Sequence, residues 1–233
     1  MIGRARTFDK VFGIGSAKTG TTTLRSCLIF LGFTPHVRWS SGLIARCAED
    51  PENVLRYAEK YRSFQDVPWC YGELYEKLDH RFPHSKFILT ERSVDNWMKS
   101  FIRFKTPPGE NRSDVRYRFK DPQLGILSHG LWWGVDYDEI GDYSMEPHED
   151  TYRSVYLSRN EGIKEYFRDR PDDLLVVDWE NGDGWPELCS FLGTEIPSVG
   201  FPQENIGADD GGPMQRLTSK CVFKFLSLIQ RFR

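Results

Sequence analysis

Apolar positions change period along this chain. Short unbroken apolar runs alternate with stretches in which apolar residues recur every three or four positions, the pattern of strands alternating with helices. The first run, Val11-Phe12-Gly13-Ile14, predicts a buried strand, and residues 15–20, GSAKTG, predict a tight loop. Leu24, Leu28 and Leu31 then fall at helical spacing, with Cys27 on the same face. Gly32 is placed to end that helix, because the residue past the last turn often takes a positive φ.

Residues 33–39, FTPHVRW, predict a second short strand with a loop, and put His36 and Trp39 forward either for the rim of a ligand site or as structural residues. Asp50-Pro51 reads as an N-cap followed by a first helical position, opening a helix to about residue 61. Residues 61–67 predict a strand that closes in Gln65-Asp66-Val67-Pro68, and residues 71–81 a helix with Leu74 and Leu78 on one face, broken by Phe82-Pro83. Residues 86–90 give the clearest strand, with a Phe-Ile-Leu centre suited to a parallel sheet covered on both faces. Ser93 caps the next helix, Asn96 stands where a capping box would have Glu or Gln, and Trp97 and Phe101 supply the buried side.

Residues 106–122 lose the pattern and predict a long loop, either a lid or a solvated insertion. Helices are expected over 124–137, which holds Trp132 and Trp133, and over 150–168, with an acidic loop at 136–148 between them. Residues 174–177 predict the last strand, and residues 185–192 a short helix stopped by Gly193. Residues 216–233 are basic and apolar together, a terminal helix that either docks on the domain or lies on a membrane surface. The whole reads as one three-layer α/β domain over residues 1–233, a central parallel sheet flanked by helices with right-handed crossovers. Ligands of such sheets bind beyond the carboxyl ends of the strands. The Lys18 loop, Asp66 and Arg92 each follow a strand at that end.

Composition narrows this picture. The net charge of −3 over 233 residues gives no ground for a nucleic-acid partner. The five cysteines are scattered and form no C-x-x-C, so neither a disulfide framework nor a zinc site is expected. Neither a leader-like apolar segment at the start nor a membrane-length apolar run is seen, which makes the cytosol the simplest location. Oligomeric state is not readable.

A strand, a glycine loop and a helix N-terminus together make an anion site, because the first helical N–H groups lack partners and the dipole adds positive charge. Lys18 and the hydroxyls around it suit phosphate or sulfate. The Walker pattern sets Lys directly after its second Gly, whereas Lys18 precedes Gly20 by two positions, and G-x-G-x-x-G is absent. The sequence KTGTTTL instead resembles the 5′-phosphosulfate loop of the sulfotransferases, which use 3′-phosphoadenosine 5′-phosphosulfate (PAPS) as donor and release adenosine 3′,5′-bisphosphate (PAP). A second motif of that family, an Arg at a strand end and a Ser eight residues on, is matched by Arg92 and Ser100 in KFILTERSVDNWMKS.

The resemblance implies a P-loop NTPase-like sulfotransferase fold and transfer of a sulfuryl group to a hydroxyl or amine of a small-molecule acceptor, without a metal. It assigns the donor's 5′-phosphate to Lys18, Thr19, Gly20, Thr21 and Thr22, and the 3′-phosphate to Arg92 and Ser100. Lys18 would also stabilise the leaving oxygen. Asp66 falls where the cytosolic members carry a catalytic His, and a carboxylate base has precedent among the carbohydrate sulfotransferases. The capping role is its alternative. The family's C-terminal R-K-G-x-x-G segment is missing, with Asp209-Asp210-Gly211-Gly212 near its place and Arg216 and Lys220 as substitutes. A nucleotide kinase of the related fold and a non-catalytic nucleotide-binding module are the competing readings.

Overall fold

A computed structural model describes residues 8–37, 50–105 and 149–202. Strands β1 (Val11–Gly13), β2 (Ser63–Phe64), β3 (Lys86–Thr90) and β4 (Leu174–Val177) form one sheet in the order β2-β1-β3-β4, every neighbouring pair parallel. Helices α1 (Thr21–Phe30), α2 (Pro51–Ala58), α3 (Leu74–Arg81), α4 (Val94–Lys105), α5 (Glu149–Tyr166) and α6 (Trp185–Leu192) connect or follow them. The expected α/β class is what the chain adopts.

Alternation along the strands sends side chains to opposite faces of the sheet. Phe12, Ile14, Phe87 and Leu89 enter a core with Phe64, Trp69, Leu78 and Phe167, on the face of α2 and α3. Val11, Ile88 and Val177 enter the opposite core with Leu24, Cys27 and Leu28 of α1 and Leu188 and Leu192 of α6. A sheet buried on both faces explains why β1 and β3 read as continuous apolar runs. A third cluster joins α4 to α5: Trp97 stacks on Tyr156 with ring centroids 4.4 Å apart, and Phe101 and Tyr152 pack beside them.

The expected punctuation is found at most ends. The Asp50 side chain accepts from the Glu52 N–H at 3.0 Å, and the Ser93 hydroxyl accepts from Asn96 N–H at 3.3 Å. Gly32 (φ 79°) and Gly193 (φ 60°) follow helix ends in the left-handed region. Several boundaries differ from the sequence expectation. The strand expected in 33–39 is a single bridge from His36 to Ser63, and the strand expected over 61–67 pairs only at Ser63 and Phe64. Both lie on the outer side of β1, where little partner strand is available. The helix expected from residue 71 begins at Leu74, because residues 66–73 turn on their own backbone, with Cys70 N–H bonding to Asp66 O and Leu74 N–H to Tyr71 O. Trp39, Cys47, Cys221, the segments 106–122, 124–137 and 136–148, Asp209 to Lys220 and the helix expected at 216–233 lie outside the described residues.

The chain passes from β1 to β2 on one side and then to β3 on the other. That reversal opens a crevice beyond the carboxyl ends of β1 and β3. The Lys18 loop leaves β1 there, and Arg92 follows β3 there.

Candidate active site

The loop between β1 and α1 is fixed by close approach. A Cβ on Gly15 would overlap Thr90, whose carbonyl oxygen would stand 2.5 Å away. Gly20 (φ 87°) takes a conformation that side chains disfavour, and a Cβ there would overlap the Trp179 ring. Thr19 is buried and its hydroxyl is committed to the loop: it donates to Ser16 O at 2.6 Å and pairs with Thr90 Oγ1 at 2.6 Å. The Thr19 N–H also donates to Ser16 O at 3.3 Å, so both of its donors are turned into the loop. Trp97 of α4 donates its indole N–H to Ala17 O at 3.0 Å and ties the loop from behind. Gly20 is the N-cap of α1 and makes no side-chain cap bond to its first turn, the helix end at which the sequence suggested an anion.

Lys18 sits in the left-handed region (φ 74°). Burial lowers its pKa; nearby Asp66 opposes that shift, while Arg103 and Arg92 add to it. Asp66, also at positive φ (64°), accepts from Val67 N–H at 2.9 Å through Oδ1 and from the Thr21 hydroxyl at 3.2 Å through Oδ2. Burial raises its carboxyl above the usual range, against these two donors and Lys18. The structure thus brings Lys18, Asp66 and Thr21 together at the mouth of α1. The capping alternative for Asp66 is answered in part: its side chain bonds its own turn at Val67 but also crosses to α1.

Arg92 donates from Nη1 to Lys18 O at 3.1 Å, so the two motifs meet. Its backbone is clamped by Tyr156, whose hydroxyl accepts from Arg92 N–H at 3.1 Å and donates to Arg92 O at 2.9 Å. Arg92 is paired with a carboxylate, as a purely structural arginine would be, though not with Asp95 of α4, which pairs with Arg153. Arg92 pairs instead with Glu180, through Nη2 to Oε1 and through Nε to Oε2 at 3.2 Å, and Asn96 donates to the same carboxylate at 3.0 Å. Asn96 is thereby drawn away from the capping box. Ser100 is buried on α4, one turn beyond Asn96 on the same face.

Sequence reasoning missed Trp179, Glu180 and Arg103. The first two lie in the short helical turn Trp179–Asn181, where Asp178 caps by accepting from Glu180 N–H at 2.9 Å. β4 itself was legible, but that its end lies on this rim follows from its pairing with β3, which the sequence does not state. His36 does not belong to it. It lies beside Ser63 at the amino end of β2, its Nδ1 2.6 Å from Ser63 Oγ, and burial pushes its pKa down to about 3, which keeps it neutral. Among the described residues no group of three or more His, Cys, Asp or Glu is placed to hold a metal ion, and no helix is long and apolar enough to cross a membrane.

A parallel sheet covered on both faces, with a lysine-bearing loop at a helix N-terminus and an arginine at the switch point, makes this an α/β protein of the P-loop-like kind. The sequence matches the sulfotransferase domain over residues 10–209, and the chain belongs to that family. It is also similar to the Ava biosynthesis cluster protein M of Aspergillus versicolor, with 25% identity over 226 residues, covering 87% of this chain and 82% of that protein.

Proposed function

We propose that this chain transfers a sulfuryl group from PAPS to a hydroxyl or amine of a small-molecule acceptor and releases PAP, with no metal. The observation that carries this reading is the convergence of Lys18, Asp66 and Arg92 on one helix mouth, Arg92 reaching the Lys18 carbonyl and Asp66 reaching Thr21. The loop fits the donor's anionic end: it is narrowed to glycine at positions 15 and 20, and the indole N–H of Trp179, buried against Gly20, has no partner.

PAPS supplies an activated sulfuryl group on a phosphate leaving group. Asp66 takes the proton of the acceptor O–H or N–H as its oxygen or nitrogen bonds to sulfur. Lys18 neutralises the charge that builds on the phosphate oxygen as the sulfur–oxygen bond to it breaks. The N–H groups opening α1 hold the 5′-phosphate, and Arg92 with Ser100 holds the 3′-phosphate. Glu180 now occupies the Arg92 fork, so the 3′-phosphate takes that fork by displacing a carboxylate.

Transfer from labelled PAPS across a panel of hydroxylated and amine acceptors tests the reading. Lys18→Ala should lower kcat on the order of a hundredfold or more, by analogy with a lost oxyanion donor, because its interaction strengthens in the transition state. An unchanged kcat in that variant would remove Lys18 from the chemistry.

A further inference from the structure

Arg159 of α5 is half-buried, but its guanidinium end is enclosed and has no counter-ion among the described residues. Its Nε donates to Gly72 O at 3.2 Å, and its Nη1 and Nη2 are closed off from solvent and bond to nothing. Among the described residues no carboxylate pairs with it. The groups that act on it electrostatically are Cys70, Tyr75 and Tyr156, and burial is what lowers its pKa most. An uncompensated guanidinium is costly to bury, and a structure that needed only packing there would have used an apolar side chain.

Its position ties it to the rim. Gly72 belongs to the turn that Asp66 opens, where Cys70 N–H bonds to Asp66 O. Tyr156, one turn before Arg159 on α5, clamps the backbone of Arg92. The Arg159 side chain therefore bonds to the turn that follows the candidate base, and its helix holds the segment that carries the donor-site arginine. It belongs to neither of the motifs that bind the donor.

We propose that the two unpartnered nitrogens of Arg159 bind a carboxylate of the acceptor, so that the enzyme selects hydroxylated or amino acids over their neutral analogues. This rests on the sulfotransferase reading. The planar fork suits a carboxylate, which can accept both N–H groups in parallel.

The test is calorimetry with 4-hydroxybenzoate and 4-hydroxybenzamide on the PAP-loaded protein, for the parent, Arg159→Met and Arg159→Gln, with Tm recorded for each. The parent should prefer the acid by about tenfold to a hundredfold, the range of a charge-assisted bidentate contact. Both variants should lose that preference, keep their affinity for PAP, and melt no lower than the parent, since a buried unpaired charge has been removed. Equal affinity of the parent for acid and amide, no binding of either, or a preference that survives in either variant overturns the proposal. So does a large fall in Tm in both variants, which would make Arg159 a structural residue. Failure of the parent to bind PAP is the separate result that counts against the sulfotransferase reading itself.

Discussion

Asp66 is held by a backbone N–H, a hydroxyl and a nearby lysine, yet burial outweighs all three and raises its pKa. A carboxylate raised in this way is a stronger base than a solvated one. Raising the folded-state pKa above the unfolded value means that the ionised carboxylate is disfavoured by folding. That cost is fully present above the folded pKa and disappears as pH falls below the unfolded one. Asp66→Asn should therefore lose turnover by about a hundredfold or more and abolish the acidic limb of the pH–rate profile. Its Tm should equal or exceed the parent's at mildly alkaline pH, with the gap closing on acidification. A variant that melts lower at alkaline pH but turns over normally would make Asp66 a turn residue alone. The left-handed backbone at Lys18 and Asp66 was not legible in the sequence, because Lys gives no signal for positive φ and Asp tolerates it without requiring it. Both positions instead obey the close packing of their turns.

Elements whose residues carry one signal were legible. β1, β3 and β4 are continuous apolar runs, α1 and α6 end in glycine, and α2 opens on Asp-Pro, so each could be placed before any packing was known. β2 was overextended because only two of its residues pair. The turn after β4 was missed as part of the site because its place there depends on β4 lying beside β3, and strand order is not written in the chain. That turn makes the clearest element-scale prediction. Glu180 holds Arg92 and Asn96; on the proposed donor site it would compete with the 3′-phosphate for Arg92, so Glu180→Gln should tighten PAP binding several-fold and leave AMP binding unchanged. Calorimetry on the variant checks this, and weaker PAP binding would show that Glu180 holds the arginine in place for the ligand instead of opposing it. Arg159 was invisible for a different reason. In sequence it reads as one more polar position of an amphipathic helix, and only the packing of α5 against the 66–72 turn encloses its end.

At the scale of the whole molecule, the order β2-β1-β3-β4 puts the switch point between the two strands whose exit loops carry Lys18 and Arg92. Two motifs 74 residues apart in sequence, counted from Lys18 to Arg92, therefore meet, joined by Arg92 to Lys18 O, Trp97 to Ala17 O and Thr19 to Thr90. The family match and the parallel sheet agree with that geometry, and the donor is the point on which the account turns. A ligand that binds only the folded chain also stabilises it, by about 2.7 kcal/mol at a hundred times its Kd, so donor binding is readable both as heat and as a rise in Tm. The most direct measurement is calorimetry of the parent protein and of Arg92→Ala with PAP and with AMP, in the absence of Mg²⁺. The parent should bind PAP about tenfold to a hundredfold more tightly than AMP, from the charge-assisted contact of Arg92 with the 3′-phosphate, and Arg92→Ala should erase most of that difference while leaving AMP binding nearly unchanged. Equal affinity of the parent for PAP and AMP would contradict the assignment of a 3′-phosphate site, and with it the use of PAPS.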